Sequence, residues 1–378
     1  MAEAATVQQA LRRFLDEKTL DGHRRRVCNH LQACRTEVLG GMQVQCEACG
    51  WEQPWYHGCR DRHCPQCQSR ATRVWAERQQ DALLPVRYFH VVFTLPHALN
   101  GWVQLHPEVL YQLLFRITWD TLRRFGQDPR RLGGELGMTA VLHTWGQNLS
   151  QHVHLHCLIP GGALQPDGQW KPSRGHTLFP VRALSRRFRG AMVAALRRAA
   201  NEGELQRVTR PGEIDAVLDR LMATEWVVYA KDCLHHSATV VAYLARYTHR
   251  IAISNARILD IDARDVTLRY TDYRDHDRTK VMRLDGEEFV RRFLLHILPK
   301  GLMRVRHYGF LANRCRKAKL ARIRGALNAP SPEASADPEG GREPATYPCP
   351  RCRVGRVHVI QVLAPQSRAP NREERRRC

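Results

Sequence analysis

The sequence predicts an α+β fold built on a central antiparallel sheet flanked by helices, and three observations carry that expectation. Runs rich in β-branched and aromatic residues occur at Arg87–Leu95, Met138–Trp145 and His152–Ile159, and the first and last are broken by Pro96 and Pro160. Stretches with helical apolar spacing, at Pro107–Phe125, Val181–Asn201 and Glu213–Ala223, are mixed with them without the regular alternation of a doubly wound sheet. Two CxxC pairs near the N-terminus, Cys46/Cys49 and Cys64/Cys67, announce a small metal-stapled module ahead of the sheet.

Taken in order, residues 1–70 are expected to hold an N-terminal helix and the cysteine module, and 71–85 a connecting helix that stops at Pro85. The main domain is expected over 86–328. Within it the strand candidates Met138–Trp145 and His152–Ile159 flank a short loop, Gly146–Gln151, which reads as a hairpin. Trp226–Ala230 is a fourth strand and Thr239–Thr248 a helix; further strands at Ala256–Asp262, Asp265–Tyr270 and Lys280–Leu284 precede a helix over Gly286–Leu298. From Pro330 to Tyr347 the composition turns to Pro, Ser, Glu, Gly and Ala, so residues 329–378 read as a flexible basic tail carrying half a zinc knuckle, Cys349/Cys352.

Lys and Arg total 59 against 37 Asp and Glu, a net charge of +22 with an isoelectric point near 10.0. Such a field draws polyanions, which makes nucleic acid the favoured partner. No apolar run approaches the ~20 residues needed to span a bilayer, and the N-terminus lacks the apolar core of a signal peptide. A cytoplasmic protein with no membrane partner is expected.

Seven of the thirteen cysteines fall between residues 28 and 67. In a reducing compartment that clustering favours metal over disulfides. The two CxxC knuckles, fourteen residues apart, are expected to close Cys46, Cys49, Cys64 and Cys67 around one tetrahedral zinc. Cys34, Cys59 and His63 supply most of a second site, with His30, His57 and Cys28 as candidates for its fourth ligand. Arg60, Arg62, Arg70 and Arg73 surround the knuckles, and Trp51, Trp55 and Tyr56 add planar faces, a combination suited to phosphates and bases or simply to a solvated surface.

His152, His154 and His156 alternate with Val153 and Leu155 and so share one strand face. Neighbouring members stand roughly 6.6 Å apart, so one adjacent pair can bind an ion if a third group completes the set. Gln147 is the expected third ligand, with Asp232 the alternative. Two imidazoles and an amide oxygen suit magnesium or manganese. Tyr243 and Tyr247, four residues apart, lie on one helical face. Core packing is the ordinary explanation of such a pair, but beside a histidine strand, a cysteine module and a strong positive charge it also suits metal-assisted attack on a phosphodiester. Lys231, Arg246, His249 and Arg250 cluster nearby to favour the phenolate and to meet DNA.

The segments CRTEVLGG, CEACG, CRDRHCPQCQ, FTLPH, TWGQNLSQHVHLHCLIPGG, YLARYTHRIAISN and RHYGFLANRC, in this order between residues 28 and 325, resemble the two-tyrosine HUH rolling-circle transposases of the insertion-sequence ninety-one group. The resemblance implies an HUH-type central sheet. It also implies that His154 and His156 hold the divalent ion, with Gln147 in a matching block, and that Tyr243 and Tyr247 are the nucleophiles. It further places Cys46, Cys49, Cys64, Cys67, Cys34, Cys59 and His63 in an N-terminal zinc-binding region. The implied activity nicks and rejoins single DNA strands at transposon ends through 5′-phosphotyrosine intermediates. Where the group usually reads Gly-Gly-His this chain has Gly40-Gly41-Met42, which puts one zinc ligand in question. No P-loop is present, so unwinding falls to a host helicase, with host replication proteins as further expected partners. A plasmid or phage replication initiator would use the same residues, and a non-catalytic zinc-dependent DNA-binding protein would need only the cysteine module.

Overall fold

A computed structural model of the chain describes residues 5–68, 83–210, 212–234, 252–273, 275–330 and 347–366. The expected connecting helix over 71–85 and the expected tyrosine helix over 239–248 fall almost wholly or wholly outside them.

At the centre is a five-stranded antiparallel sheet of β3 (Tyr88–Thr94), β4 (Gly137–Trp145), β5 (Gln151–Pro160), β8 (Val228–Leu234) and β12 (Val305–Gly309), in the order β12-β4-β5-β3-β8. The β4–β5 hairpin lies in its middle, as the loop at Gly146–Gln151 suggests. One face of the sheet presents Ala140, Leu142, Val153, Leu155, Cys157, Val91 and Phe93 to the main core. Two 21-residue helices cover that face, α4 (Pro107–Gln127) and α5 (Val181–Asn201). Their buried residues recur at helical spacing, Leu110, Leu114, Ile117 and Thr121 on one and Leu184, Phe188, Met192 and Leu196 on the other. Phe93 packs edge to face on Phe188 at 5.0 Å between centroids, and burial of each such ring contributes about 1.5–3 kcal/mol. A shorter helix, α3 (Asn100–Leu105), leads into α4, and α6 (Glu213–Ala223) packs on α5.

Several elements depart from expectation. The fourth strand begins at Val228 rather than at Trp226, because the Trp226 side chain turns into the core and its indole N–H donates to the Leu221 carbonyl at 3.0 Å. The stretch after residue 300, to which the sequence assigns no element, supplies the edge strand β12 and helix α8 (Arg316–Ala326). A two-stranded ribbon of β6 (Gly162–Leu164) and β7 (Trp170–Pro172) follows the hairpin.

The N-terminal module does not stand alone. Helices α1 (Val7–Phe14) and α2 (Gly22–Ala33) share a second core with a three-stranded sheet of β9 (Ile258–Ile261), β10 (Asp265–Asp272) and β11 (Arg278–Asp285) and with α7 (Gly286–Leu294). Val7, Leu11, Leu31, Leu268, Phe289 and Phe293 are all buried there. Residues 252–297 pack on the module across the boundary expected near residue 70. Part of the segment expected as a flexible tail forms strands. β13 (Tyr347–Pro348) and β14 (Arg356–Leu363) complete a four-stranded sheet with β1 (Gly41–Cys46) and β2 (Glu52–Tyr56), in the order β13-β14-β1-β2. No described helix is long and apolar enough to cross a membrane.

Two histidines bond to threonines of β4, the buried His296 from beyond α7 and the half-buried His307 from β12. The Nε2–H of His296 donates to the Leu149 carbonyl at 3.1 Å while its Nδ1 accepts from Thr144 Oγ1 at 3.2 Å, and His307 Nδ1 lies 3.0 Å from Thr139 Oγ1. Burial pushes both imidazoles down to about 4. The folded protein therefore stays unprotonated at these rings while the unfolded chain takes up protons as pH falls below the ordinary value of 6.5. Stability is expected to fall from about pH 6.5 toward about pH 4, by up to about 1.4 kcal/mol per unit for each ring. Thermal unfolding at about pH 8, 6.5 and 5 checks this: the midpoint should drop only in the last step, and an unchanged midpoint at pH 5 contradicts it.

Candidate metal and nucleic-acid site

On the sheet face opposite the main core, the odd–even alternation of β5 presents His152, His154 and His156. The hairpin register sets His143 of β4 directly opposite His154, and residues directly opposite share a face. His143, His154 and His156 bring one ring nitrogen each within 4.8 Å of one another. His143 is 4% exposed and stacks on Trp145 at 4.5 Å between centroids, while Trp145 carries the Arg304 guanidinium over its ring at 5.0 Å. Each of the two β5 rings has a nitrogen already engaged. His154 Nδ1–H donates to the His152 carbonyl at 2.9 Å, and His156 Nδ1 lies 2.8 Å from Nε2 of the buried His90 on β3. These contacts leave Nε2 of both rings directed to the shared point. Burial, reinforced by the neighbouring His152, pushes His154 down to about 4. Burial and then the neighbouring His154 push His156 well below its ordinary range. Both are thus neutral, the form that ligates metal.

The third histidine of the cluster is His143. Gln147, the expected third ligand, donates from its side-chain amide to the Tyr273 hydroxyl at 2.8 Å, and its backbone carbonyl accepts from Arg257. His143 could have been found by counting back from the predicted loop, which pairs it with His154. His152 falls outside the cluster and meets His97 instead, at 3.2 Å. Asp232 and Lys231 lie on β8, where Lys231 is in register with His90. Tyr243, Tyr247, Arg246, Arg250 and Arg70 lie outside the described residues.

The cysteines assort differently from expectation. Cys46, Cys49, Cys64 and Cys67 do not converge. Cys64 and Cys67 join Cys34 and Cys59 in one tetrad, and Cys46 and Cys49 join Cys349 and Cys352 in another. In the first, Cys34 Sγ lies 3.4 Å from Cys64 and 3.6 Å from Cys67, and Cys59 lies 3.9 Å from Cys67. Sulfurs on a tetrahedral zinc at about 2.3 Å stand about 3.8 Å apart, so the four fit one ion. The physical reason for the exchange is the sheet: pairing of β1 with β2 puts Cys46 and Cys49 at its tip, away from Cys34 at the end of α2. Met42 lies in β1 and costs neither tetrad a ligand, since both consist of cysteine.

His63, expected as a ligand, is committed elsewhere. Its Nδ1–H donates to Asp61 at 2.9 Å and its Nε2 accepts from the Leu298 backbone N–H at 3.1 Å. Burial opposes ionisation of Asp61, but the hydrogen bonds from His63 outweigh it and hold the carboxyl below its usual range. His30 also meets Asp61, at 3.2 Å, and Cys28 is buried, its thiol pushed up to about 12 chiefly by that burial. Neither His30 nor Cys28 belongs to a tetrad. Arg62, expected to grip DNA, is turned inward and donates to the carbonyls of Leu302 at 2.5 Å and Pro299 at 2.7 Å. Arg60 remains exposed. Trp55 meets Tyr347 edge to face at 5.6 Å and packs, with Trp51, on the core of the four-stranded sheet, so both rings are partly consumed in packing.

Residues 6–95 match the family model described as a transposase zinc-binding domain, and residues 137–319 match the one described as a putative transposase. A protein of Sinorhizobium fredii described as "Putative transposase y4qJ" is 43% identical over 361 residues, covering 91% of each chain. The chain belongs to the insertion-sequence ninety-one transposase family. A Pseudomonas savastanoi pv. phaseolicola protein, described as the transposase for insertion sequence element IS801, is 29% identical over 347 residues, 86% of this chain and 80% of its own. No solved structure matches. As a member of that family this transposase acts on DNA and carries structural zinc, and the tetrad of Cys34, Cys59, Cys64 and Cys67 lies within the matched zinc-binding segment.

Substituting His63→Ala should leave the zinc content of the transposase unchanged. It should destabilise the protein by about 1–3 kcal/mol, because the Leu298 N–H loses a buried acceptor. Metal analysis and denaturant unfolding of one sample separate the two; a lost zinc would return His63 to the ligand set.

Proposed function

We propose that this transposase nicks and rejoins single DNA strands at the ends of its element through 5′-phosphotyrosine intermediates, driving rolling-circle transposition. The observation that carries the reading is the convergence of His143, His154 and His156 on the face of the sheet away from the main core. Three converging imidazoles fit a divalent ion, and an ion bound there would neutralise charge developing on a scissile phosphate. An all-nitrogen set is softer than two imidazoles and an amide oxygen, which shifts preference from magnesium toward manganese. His90 acts as a positioning residue: by engaging Nδ1 of His156 it fixes the tautomer and ring that present Nε2.

Tyr243 and Tyr247 are the proposed nucleophiles. One phenolic oxygen attacks phosphorus, the bond to the 3′ oxygen breaks, and the departing oxygen takes up a proton, leaving a tyrosyl ester of the 5′ phosphate and a free 3′-hydroxyl. The ester conserves the bond energy for rejoining, with the second tyrosine serving the next strand transfer. Lys231, Arg246 and Arg250 are proposed to favour the phenolate and hold the strand, with Arg60 contributing from the N-terminal module. A host helicase is the proposed source of single-stranded substrate. The relatives' names favour transposition over replication initiation.

The test is incubation with labelled single-stranded DNA from the element's end and manganese, followed by denaturing electrophoresis. A protein–DNA adduct that is lost on combining Tyr243→Phe with Tyr247→Phe establishes the mechanism; an adduct that survives the double change assigns the chemistry elsewhere. His143→Ala should abolish the adduct as His154→Ala does, while DNA binding and zinc content persist, and Gln147→Ala should retain it. His90→Phe should weaken manganese binding by roughly 10–100-fold in calorimetry, with a smaller loss for His90→Gln, which keeps a hydrogen-bonding partner for His156.

A further inference from the structure

The second cysteine tetrad draws two ligands from each end of the chain, and Cys349 and Cys352 lie far beyond the matched zinc-binding segment. Cys46 Sγ stands 3.8 Å from Cys352 and Cys49 stands 3.8 Å from Cys349, the separation of about 3.8 Å that a tetrahedral zinc imposes and well beyond the ~2.05 Å of a disulfide. The two pairs are built alike. After Cys46-Glu-Ala-Cys49 the chain turns at Gly50 with φ 67°, and Gly50 N–H returns to the Cys46 carbonyl at 3.0 Å. After Cys349-Pro-Arg-Cys352 it turns at Arg353 with φ 58°, and Arg353 N–H returns to the Cys349 carbonyl at 3.0 Å. A non-glycine residue held in the left-handed region costs energy, so the second turn is maintained by its surroundings. The Gly355 N–H donates to Cys352 Sγ at 3.4 Å.

The halves also fit as surfaces. Cys46 and Cys349 are 2% and 1% exposed and share a small core with Val44 and Val357. A Cβ added at Gly355 would stand 2.5 Å from the Ala48 Cβ and 2.8 Å from Cys46 Sγ, so the tail turn seats directly on the N-terminal knuckle. At the far end of the same pairing, a Cβ at Gly40 would stand 2.5 Å from the Leu363 carbonyl oxygen. Between these points β14 pairs with β1 from Gly41–Leu363 to Cys46–Val357.

We infer that Cys46, Cys49, Cys349 and Cys352 bind a second structural zinc, which clasps the C-terminal strands onto the N-terminal module and closes the chain end to end. Zinc binding converts four thiols to thiolates with release of their protons, and no oxidant is needed. Of the two clasped elements, β14 depends more on the ion, because much of the strand is exposed and it offers little apolar area to hold it otherwise. The clasp is independent of the cleavage chemistry.

Metal analysis of the full-length protein after gel filtration should give two zinc ions per chain, and the Cys349→Ser, Cys352→Ser double variant one. Thiol alkylation under denaturing conditions, with zinc removed and no reductant, should find Cys46, Cys49, Cys349 and Cys352 all free. One zinc in the unaltered protein, two in the variant, or a disulfide among the four overturns the assignment. A protease site inserted between residues 331 and 346 tests the clasp itself. The cut C-terminal fragment should stay with the body through gel filtration in the unaltered protein and leave it in the variant; a fragment retained in the variant shows that the strands alone hold it and refutes the clasp.

Discussion

Antiparallel pairing of β4 with β5 is the constraint on which the rest of this transposase depends. Strand alternation sends one set of side chains into the core beneath α4 and α5 and the other set to the opposite face, so a single register decides both packing and chemistry. Leu142 opposite Leu155 and Ala140 opposite Cys157 anchor the buried face; His143 opposite His154 follows from the same pairing. A slip by one residue would send the histidines into the core and the leucines to the opposite face, so the burial energy of the core holds the histidine face in register.

The zinc module is tied to that face by polar contacts. Asp61 fixes His63, whose ring accepts from the Leu298 N–H; Arg62 covers the neighbouring carbonyls of Pro299 and Leu302; and His23 Nε2–H donates to the Leu298 carbonyl at 2.9 Å. The segment so anchored leads within a few residues to Arg304, whose guanidinium donates to the Leu142 carbonyl and lies over Trp145, the ring on which His143 stacks. Burial pushes Arg304 down to about 9, and its charge adds to the effects that keep His156 neutral. The residues that looked like a DNA grip and a spare ligand, Arg62 and His63, are instead the joint between the module and the sheet. A buried cation or imidazole at such a joint must have its hydrogen bonds satisfied, which explains why both look functional in sequence.

Much of the fold was legible because it rests on local periodicity. The three main strands, helices α4, α5 and α6, the central hairpin and the existence of a cysteine module all follow from residue spacing that the backbone converts directly into geometry. The unassigned elements lack that local signal. The edge strand β12 contains Arg306 and His307, and the exposed strand β14 has no partner until the N-terminal sheet provides one. The shift of the strand start from Trp226 to Val228 reflects one buried indole choosing the core over the sheet.

The sequence by itself determined which chemistry this chain carries: paired thiols for zinc, alternating imidazoles on a strand, a strongly basic surface for DNA, and the family that unites them. Tertiary structure alone decided which ligands share an ion. Cysteines 15 to 21 residues apart in sequence were separated into different tetrads, while Cys46 found Cys352, 306 positions away, because strand pairing brings distant segments together irrespective of sequence distance. His143 entered the histidine cluster for the same reason. Spacing reports how far a knuckle or a strand can reach, and only packing settles what it reaches.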